Sequence, residues 1–403
     1  MLRIKTNLLN PLSPVYTEWR KNVFISIENG IIKDISADTE GEYEDKTDLI
    51  CLPGFIDVHV HLSQYYMRGS HSPNLLQWLN TYTFKEELKS QDGKYARKVA
   101  EDFFDDLIRK GTTTSVIYTA PFKQACDIAF QVAEEKGVRT IIGMTMMDAN
   151  SPDFLQQTTM QSFEDSVNLF EKWNKKTKLL EYVFTPRFAL TCSADLMSKV
   201  GEFAKSEKAY IQTHLSENKA EIERALELYQ QYSSYTEIYE RMGLLGTKTI
   251  LGHVIHVNEE EIAILKETDS KIAHCPDSNF FLKSGAFPLQ KLKNAGLTIA
   301  LGSDVAGGSS LNMLNVMKMA DFRQDDYVYP PEELFYYVTL GGAKALGKEN
   351  LIGSIQVGKA ADLVFLKISE MEKYNSTELL SKLIYIHEDV KVMETLIQGR
   401  KVL

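Results

Sequence analysis

Eight short apolar runs, separated by longer stretches of helical period, fill the middle of this chain and restrict it to few folds. The runs fall at 49–61, 113–118, 139–147, 180–187, 209–214, 249–253, 271–274 and 297–304. The intervening segments predict helices over 95–109, 122–136, 163–172, 194–206, 218–242, 258–266 and 288–294. In the first of these, Val99, Phe103 and Leu107 form one stripe and Gly111 ends it. Strands that alternate with helices and read as continuous apolar runs belong to a parallel sheet covered on both faces. Eight is the number that closes such a sheet, so an α/β chain with a (β/α)8 TIM barrel is expected. The alternative is an open doubly wound sheet, which is disfavoured because no glycine-rich phosphate loop follows the first strand.

The two ends have a different texture. Residues 22–26 alternate, Asn29-Gly30 is a hairpin signal, and 31–35 resumes the strand pattern. Apolar strands recur at 361–368 and 392–397, followed by Gln398-Gly399. At 403 residues the chain suits one large barrel with a small appendage.

Composition excludes several functions. The net charge is −10, with no clustered Lys/Arg face for a phosphate backbone, so no nucleic-acid partner is expected. No run of 18 or so apolar residues is present, so no membrane partner is expected. The opening MLRIKTNLLNPLSP lacks the apolar core of a secretory leader. Cys51, Cys126, Cys192 and Cys275 are widely spaced and form no CxxC pair. Free thiols in a reducing compartment fit them, and a cytoplasmic protein is expected.

The histidines carry the chemistry. His59 and His61 form an HxH at the end of the first run; side chains two apart on a strand share a side, which makes a natural metal-ligand pair. His214 ends the fifth run, and His253 ends the sixth. Asp304 closes the eighth, where a buried acid needs a partner and a metal is a good one. Gly307 and Gly308 follow it in a loop able to bend close to a ligand. Glu217 lies three residues past His214, just before a helix start marked by Asn218 and Glu221. It can overhang the metal or be a solvated loop acid. His256 is expected to pack or cap. Active groups on such a barrel come from the strands' C-terminal ends, where all of these fall.

The set of an HxH, two strand-end histidines and a strand-end aspartate resembles the amidohydrolase superfamily. PGFIDVHVH at 53–61 and GSIQVGKAADLV at 353–364 extend the resemblance over nearly the whole chain. It implies a small β-sandwich domain built from both ends, residues 1–52 and 353–403, and a catalytic barrel over 53–352. Within that superfamily the chain resembles the guanine deaminases, through LLQWLNTYTF at 75–84, TPRF at 185–188, THLSE at 213–217, HCPDSN at 274–279 and GSDVAGG at 302–308. Asp277 and Lys283 depart from that family's usual residues. Dinuclear relatives use a modified lysine on the fourth strand; here that strand ends in TPRF, so one metal per chain is implied. The other zinc deaminase class carries P-C-x-x-C, which this chain lacks.

The resemblance implies one Zn²⁺, with iron as an alternative, held by His59, His61, His214 and Asp304. It implies catalytic roles for Asp304 as proton acceptor, His253 as the group orienting the attacking water, and Glu217 as proton donor. Gln64, Arg187 and Phe188 would bind a purine base. Trp78, Tyr82 and Phe84 either close over the pocket or are ordinary packing. The implied reaction takes guanine and water to xanthine and ammonia, in a homodimer. Alternatives are another aminated heterocycle (a pterin, cytosine, 8-oxoguanine or an adenosine-type nucleoside) or hydrolysis of a cyclic amide.

Overall fold

The computed structural model describes residues 1–324 and 327–403. The N-terminal strands are β1 (Leu2–Ser13), β2 (Tyr16–Glu28), β3 (Ile31–Ser36) and β4 (Glu44–Pro53). The barrel strands are β5 (Phe55–His61), β6 (Thr112–Thr119), β7 (Arg139–Met146), β8 (Leu180–Pro186), β9 (Tyr210–Leu215), β10 (Thr249–His253), β11 (Lys271–His274) and β12 (Thr298–Leu301). The C-terminal strands are β13 (Leu363–Lys367), β14 (Lys391–Ile397) and β15 (Arg400–Lys401).

Strands β5 to β12 pair in sequence order, each parallel to the next, as a TIM barrel requires and a doubly wound sheet forbids. The gap between β12 and β5 is closed past the end of β12. Asp304 N donates to His59 O at 2.9 Å, and His61 N donates to Val305 O at 2.9 Å. Ile56, Val58, Val116, Ile141, Val183, Tyr210, Ile250, Ala273 and Ala300, from all eight strands, form one buried cluster inside the barrel.

The small sheet runs β15-β14-β13-β4-β1-β2-β3 and so draws on both chain ends. Its two edges meet: Ala361 N donates to Gly30 O and Gly399 N to Ala361 O, each at 2.9 Å. The sheet thus rolls around its own core of Ile4, Leu8, Val23, Ile25, Phe365 and Leu396. Its other face, including Ile50, Leu52, Val364 and Leu366, joins the barrel's outer core. Arg139 at the start of β7 pairs with Asp362 at 2.9 Å, both buried, and ties the two sheets together.

Three expectations need correction. The run 49–61 is two strands: β4 ends at Pro53 in the small sheet, and only β5 belongs to the barrel. The stretch 218–242 is two helices, Lys219–Leu228 and Tyr235–Arg241, because Ser234 caps a new start by accepting from Glu237 N. The run 297–304 stops as a strand at Leu301, so Asp304 lies three residues beyond it. The helices Met313–Phe322, Pro331–Tyr337, Leu340–Ala345 and Ser376–Tyr385 are additional. Among the described residues no helix is long and apolar enough to cross a membrane.

Candidate active site

His59 and His61 leave β5 at its C-terminal end, where a register irregularity falls between Asp57 and Val60. That bulge lets Ile56 and Val58 enter the inner cluster while His59 and His61 still reach the barrel mouth. Asp304 Oδ1 lies 3.4 Å from His59 Nε2 and 3.3 Å from His61 Nε2. His214 Nε2 lies 3.2 Å from His61 Nε2. These separations are about those of ligands around one tetrahedral ion with bonds of ~2.0–2.1 Å. One ligand atom from each of His59, His61, His214 and Asp304 lies within 4.8 Å of the others.

The protonation states suit a cation. Burial pushes His61 down to about 4, against the pull of Asp304. Burial, then repulsion from His59, His61 and His253, holds His214 well below its ordinary value. His214 Nδ1 is satisfied by Arg187 O at 2.7 Å, which leaves Nε2 as a lone-pair donor to a metal. His59 Nε2 and His253 Nε2 are buried without hydrogen-bond partners. Imidazoles crowded nitrogen to nitrogen, with a carboxylate among them, fit a divalent cation better than any hydrogen-bond scheme.

The local backbone is held in costly conformations. His253, Val254 and Asp304 adopt φ of 70°, 52° and 47°. Non-glycine residues, and a β-branched one above all, visit that region only where surrounding structure enforces it. Two glycines make room for His59: a Cβ on Gly252 would lie 2.8 Å from its ring, and one on Gly302 2.8 Å from its Cβ. Asp57, buried in β5, braces the same region. Its carboxylate accepts from His59 N (3.2 Å), Ser303 N (3.0 Å) and Ser303 Oγ (2.5 Å).

Glu217 sits between β9 and the helix Lys219–Leu228, whose capping box of Asn218 and Glu221 forms as expected. Its Oε2 lies 3.4 Å from His253 Nε2, and its Oε1 accepts from Ser284 Oγ at 2.7 Å. Burial, reinforced by the Asp304 carboxylate, pushes Glu217 up to about 8. His253 Nδ1 is paired with Asn279 Oδ1 at 2.8 Å, and its Nε2 lies 3.7 Å from Asp304 Oδ2. His256 Nε2 bonds Ser284 O at 2.8 Å and so holds the loop that touches Glu217; it caps no helix among the described residues.

A pocket opens beside these groups, lined by Gln64, Trp78, Arg187, Phe188, Glu217 and Asp304 among others. Of the aromatic candidates in 75–84, Trp78 lines the pocket, Phe84 lies beneath the Arg187 guanidinium at 5.5 Å, and Tyr82 is partly exposed outside it. Asp277 ties down the neighbouring loop by accepting from Ser309 N (2.7 Å) and Ser309 Oγ (2.6 Å), while Lys283 is exposed.

Two residues at the site were not singled out from sequence. Asp57 had a readable signal, an acid inside an apolar strand. Glu87 had none: it lies in the charged run Lys85-Glu86-Glu87-Leu88-Lys89, which reads as a solvated helix face. In the fold it is fully buried and pairs with both Arg187 and Gln64.

The amidohydrolase family model matches residues 50–402. Guanine deaminase of Escherichia coli (strain K12) is 37% identical over 365 residues, covering 88% of this chain and 83% of the relative. Guanine deaminase of Dictyostelium discoideum is 33% identical over 368 residues, covering 87% and 82%. The crystal structure of guanine deaminase from C. acetobutylicum with guanine bound in the active site superposes with a TM-score of 0.96 at 31% identity, covering 100% of both chains. With its barrel, its histidine-aspartate cluster and a family match over most of its length, the chain belongs to the amidohydrolase family.

Proposed function

We propose that this chain is a hydrolytic deaminase that converts guanine and water to xanthine and ammonia, using one zinc ion per chain. The observation that carries the reading is a single pocket with two kinds of wall. One wall holds His61, His214 and Asp304 of the cluster that His59 completes, with Glu217 and His253; the other presents Gln64, Arg187 and Phe188. Relatives at 31–37% identity that are guanine deaminases support the substrate.

Three imidazoles and one carboxylate suit zinc, and also accept iron. A divalent cation there would lower the pKa of a water from about 15.7 toward about 7, making a nucleophile at neutral pH. Asp304 would take the proton from that water. His253, with Nδ1 paired to Asn279, directs Nε2 at the attacking oxygen. The new C–O bond forms at the ring carbon bearing the exocyclic amine, and the ring nitrogen beside it receives the displaced electrons. Glu217, protonated in its buried position, would donate to that nitrogen, take up the proton of the new hydroxyl as that oxygen becomes the carbonyl, and pass it to the amine, so that the C–N bond breaks with ammonia leaving; the proton that Asp304 took from the water then returns to Glu217 and restores both acids. Arg187 would donate to the purine carbonyl oxygen, Gln64 would bond the base edge, and Phe188 would stack on the ring.

The domain division at 52/53 and 352/353, the homodimer and the cytoplasmic setting belong to the same proposal. Four buried free cysteines fit a reducing compartment. The test is incubation of purified protein with guanine, 8-oxoguanine, cytosine, a pterin and adenosine, following ammonia and product. Xanthine from guanine at the highest kcat/KM is expected. A faster reaction on another heterocycle reassigns the substrate, and a metal content well above one per chain favours cyclic-amide hydrolysis.

A further inference from the structure

The helix Phe84–Lys89 places Glu87 directly behind the pocket wall, with no exposed surface. Its Oε1 and Oε2 each accept from Arg187 Nη1 at 2.9 Å, and its Oε1 also accepts from Gln64 Nε2 at 2.9 Å. A carboxylate can only accept. The Gln64 amide is therefore locked with nitrogen toward Glu87, and its Oε1 keeps only a long contact from Ala306 N at 3.5 Å. Among the described residues the remaining guanidinium donors of Arg187 have no hydrogen-bond partner in the protein, and Arg187 lines the pocket. The same pairing cancels the Arg187 charge across a buried contact.

We infer that Glu87 is a specificity-determining residue that acts through Arg187 and Gln64, making the pocket select a neutral purine and reject an anionic one. The inference rests on the deaminase reading above. Arg187 alone would be a buried cation and would attract anions. Paired with Glu87 it offers donors without net charge, next to the fixed acceptor of Gln64. A neutral purine bearing a ring carbonyl and ring N–H groups matches that array. A purine anion has lost an N–H donor and meets a carboxylate behind the guanidinium. The device would also ease release of product, since xanthine loses a proton more readily than guanine.

The test compares wild type with Glu87→Gln, using guanine as substrate and urate, an anion at neutral pH, as competing ligand. Glu87→Gln is expected to raise the KM for guanine roughly tenfold or more, the scale of one charge-assisted hydrogen bond, and to lower the inhibition constant for urate by a similar factor. Metal content should stay at the wild-type level. These opposite movements are the signature, because a merely loosened site would weaken both ligands. Guanine KM and urate inhibition that move together, or do not move, overturn the inference. Should Glu87→Gln not fold, Glu87→Asp keeps the charge but withdraws it by one methylene. It is expected to raise the guanine KM without tightening urate, and an unchanged KM overturns the inference. Wild type that makes no xanthine from guanine sinks the deaminase reading itself. Active wild type with an unshifted variant sinks only the role of Glu87.

Discussion

A carboxylic acid that is to donate a proton at neutral pH has to be kept from ionising, and two features of its setting push Glu217, the proposed donor, that way. Its burial removes the water that would stabilise the charge, and Asp304 adds a like charge nearby. The proton is thus held below about 8 and lost as pH rises through that value. If Glu217 is the donor, kcat/KM for guanine should fall on the alkaline side with a limb near 8. A profile flat from pH 7 to 9.5 would remove it from that role. Glu217→Gln should keep the metal and lose about 10²–10⁴ in turnover, the usual worth of a positioned acid. Near-normal turnover with a full metal complement would contradict the assignment. Glu217 was legible in sequence because His214 and the capping box fixed where it falls. Glu87 was not, since only tertiary packing separates it from Glu86 beside it in the same charged run.

At the scale of elements, the ends of β10 and β12 matter more than their middles. The barrel closes through hydrogen bonds between the 304–305 segment and His59 and His61, so the same backbone that completes the sheet also carries the carboxylate proposed as a metal ligand. Gly302→Ala would place a Cβ 2.8 Å from the Cβ of His59, with backbone atoms of His59 3.1–3.2 Å away, none of which can swing aside. The expected result is a loss of about 1–3 kcal/mol of stability and a metal content clearly below that of wild type. Gly246→Ala, with nothing within 4 Å of the new methyl, serves as the control and should change neither. Equal metal content in the two variants, by elemental analysis, would show that the site tolerates the crowding. Strand periodicity located all eight barrel strands, because parallel strands buried on both faces leave an apolar signature. It placed the end of β12 too late because the chain stays buried and bonded to its neighbours past Leu301, with Gly302 N donating to His274 O and Asp304 N to His59 O. It merged β4 with β5 because the chain passes from one buried sheet to another without a polar break.

Across the whole molecule, chemistry and stability are assigned to opposite ends of the barrel. The histidines and Asp304 gather at the C-terminal ends of the strands, whereas Arg139 begins β7 and meets Asp362 at the other end. Removing the metal should act at the first end. A chelator is expected to abolish turnover and lower Tm, since a ligand bound only by the folded state at about 1,000 times its Kd contributes about 4 kcal/mol; added zinc should restore both. Asp362→Ala should act at the second. It leaves the Arg139 guanidinium buried beside a small sheet whose Gln398 N has also lost its acceptor. Breaking one side of a buried ion pair costs about 3–5 kcal/mol, so the urea midpoint should drop clearly. Turnover per folded, metal-loaded molecule should stay near wild type, because no residue of the pocket touches that pair. If Asp362→Ala instead lost turnover while keeping its metal, the small sheet would be setting the geometry of the mouth through the length of the strands, and the separation of roles between the two ends would fail.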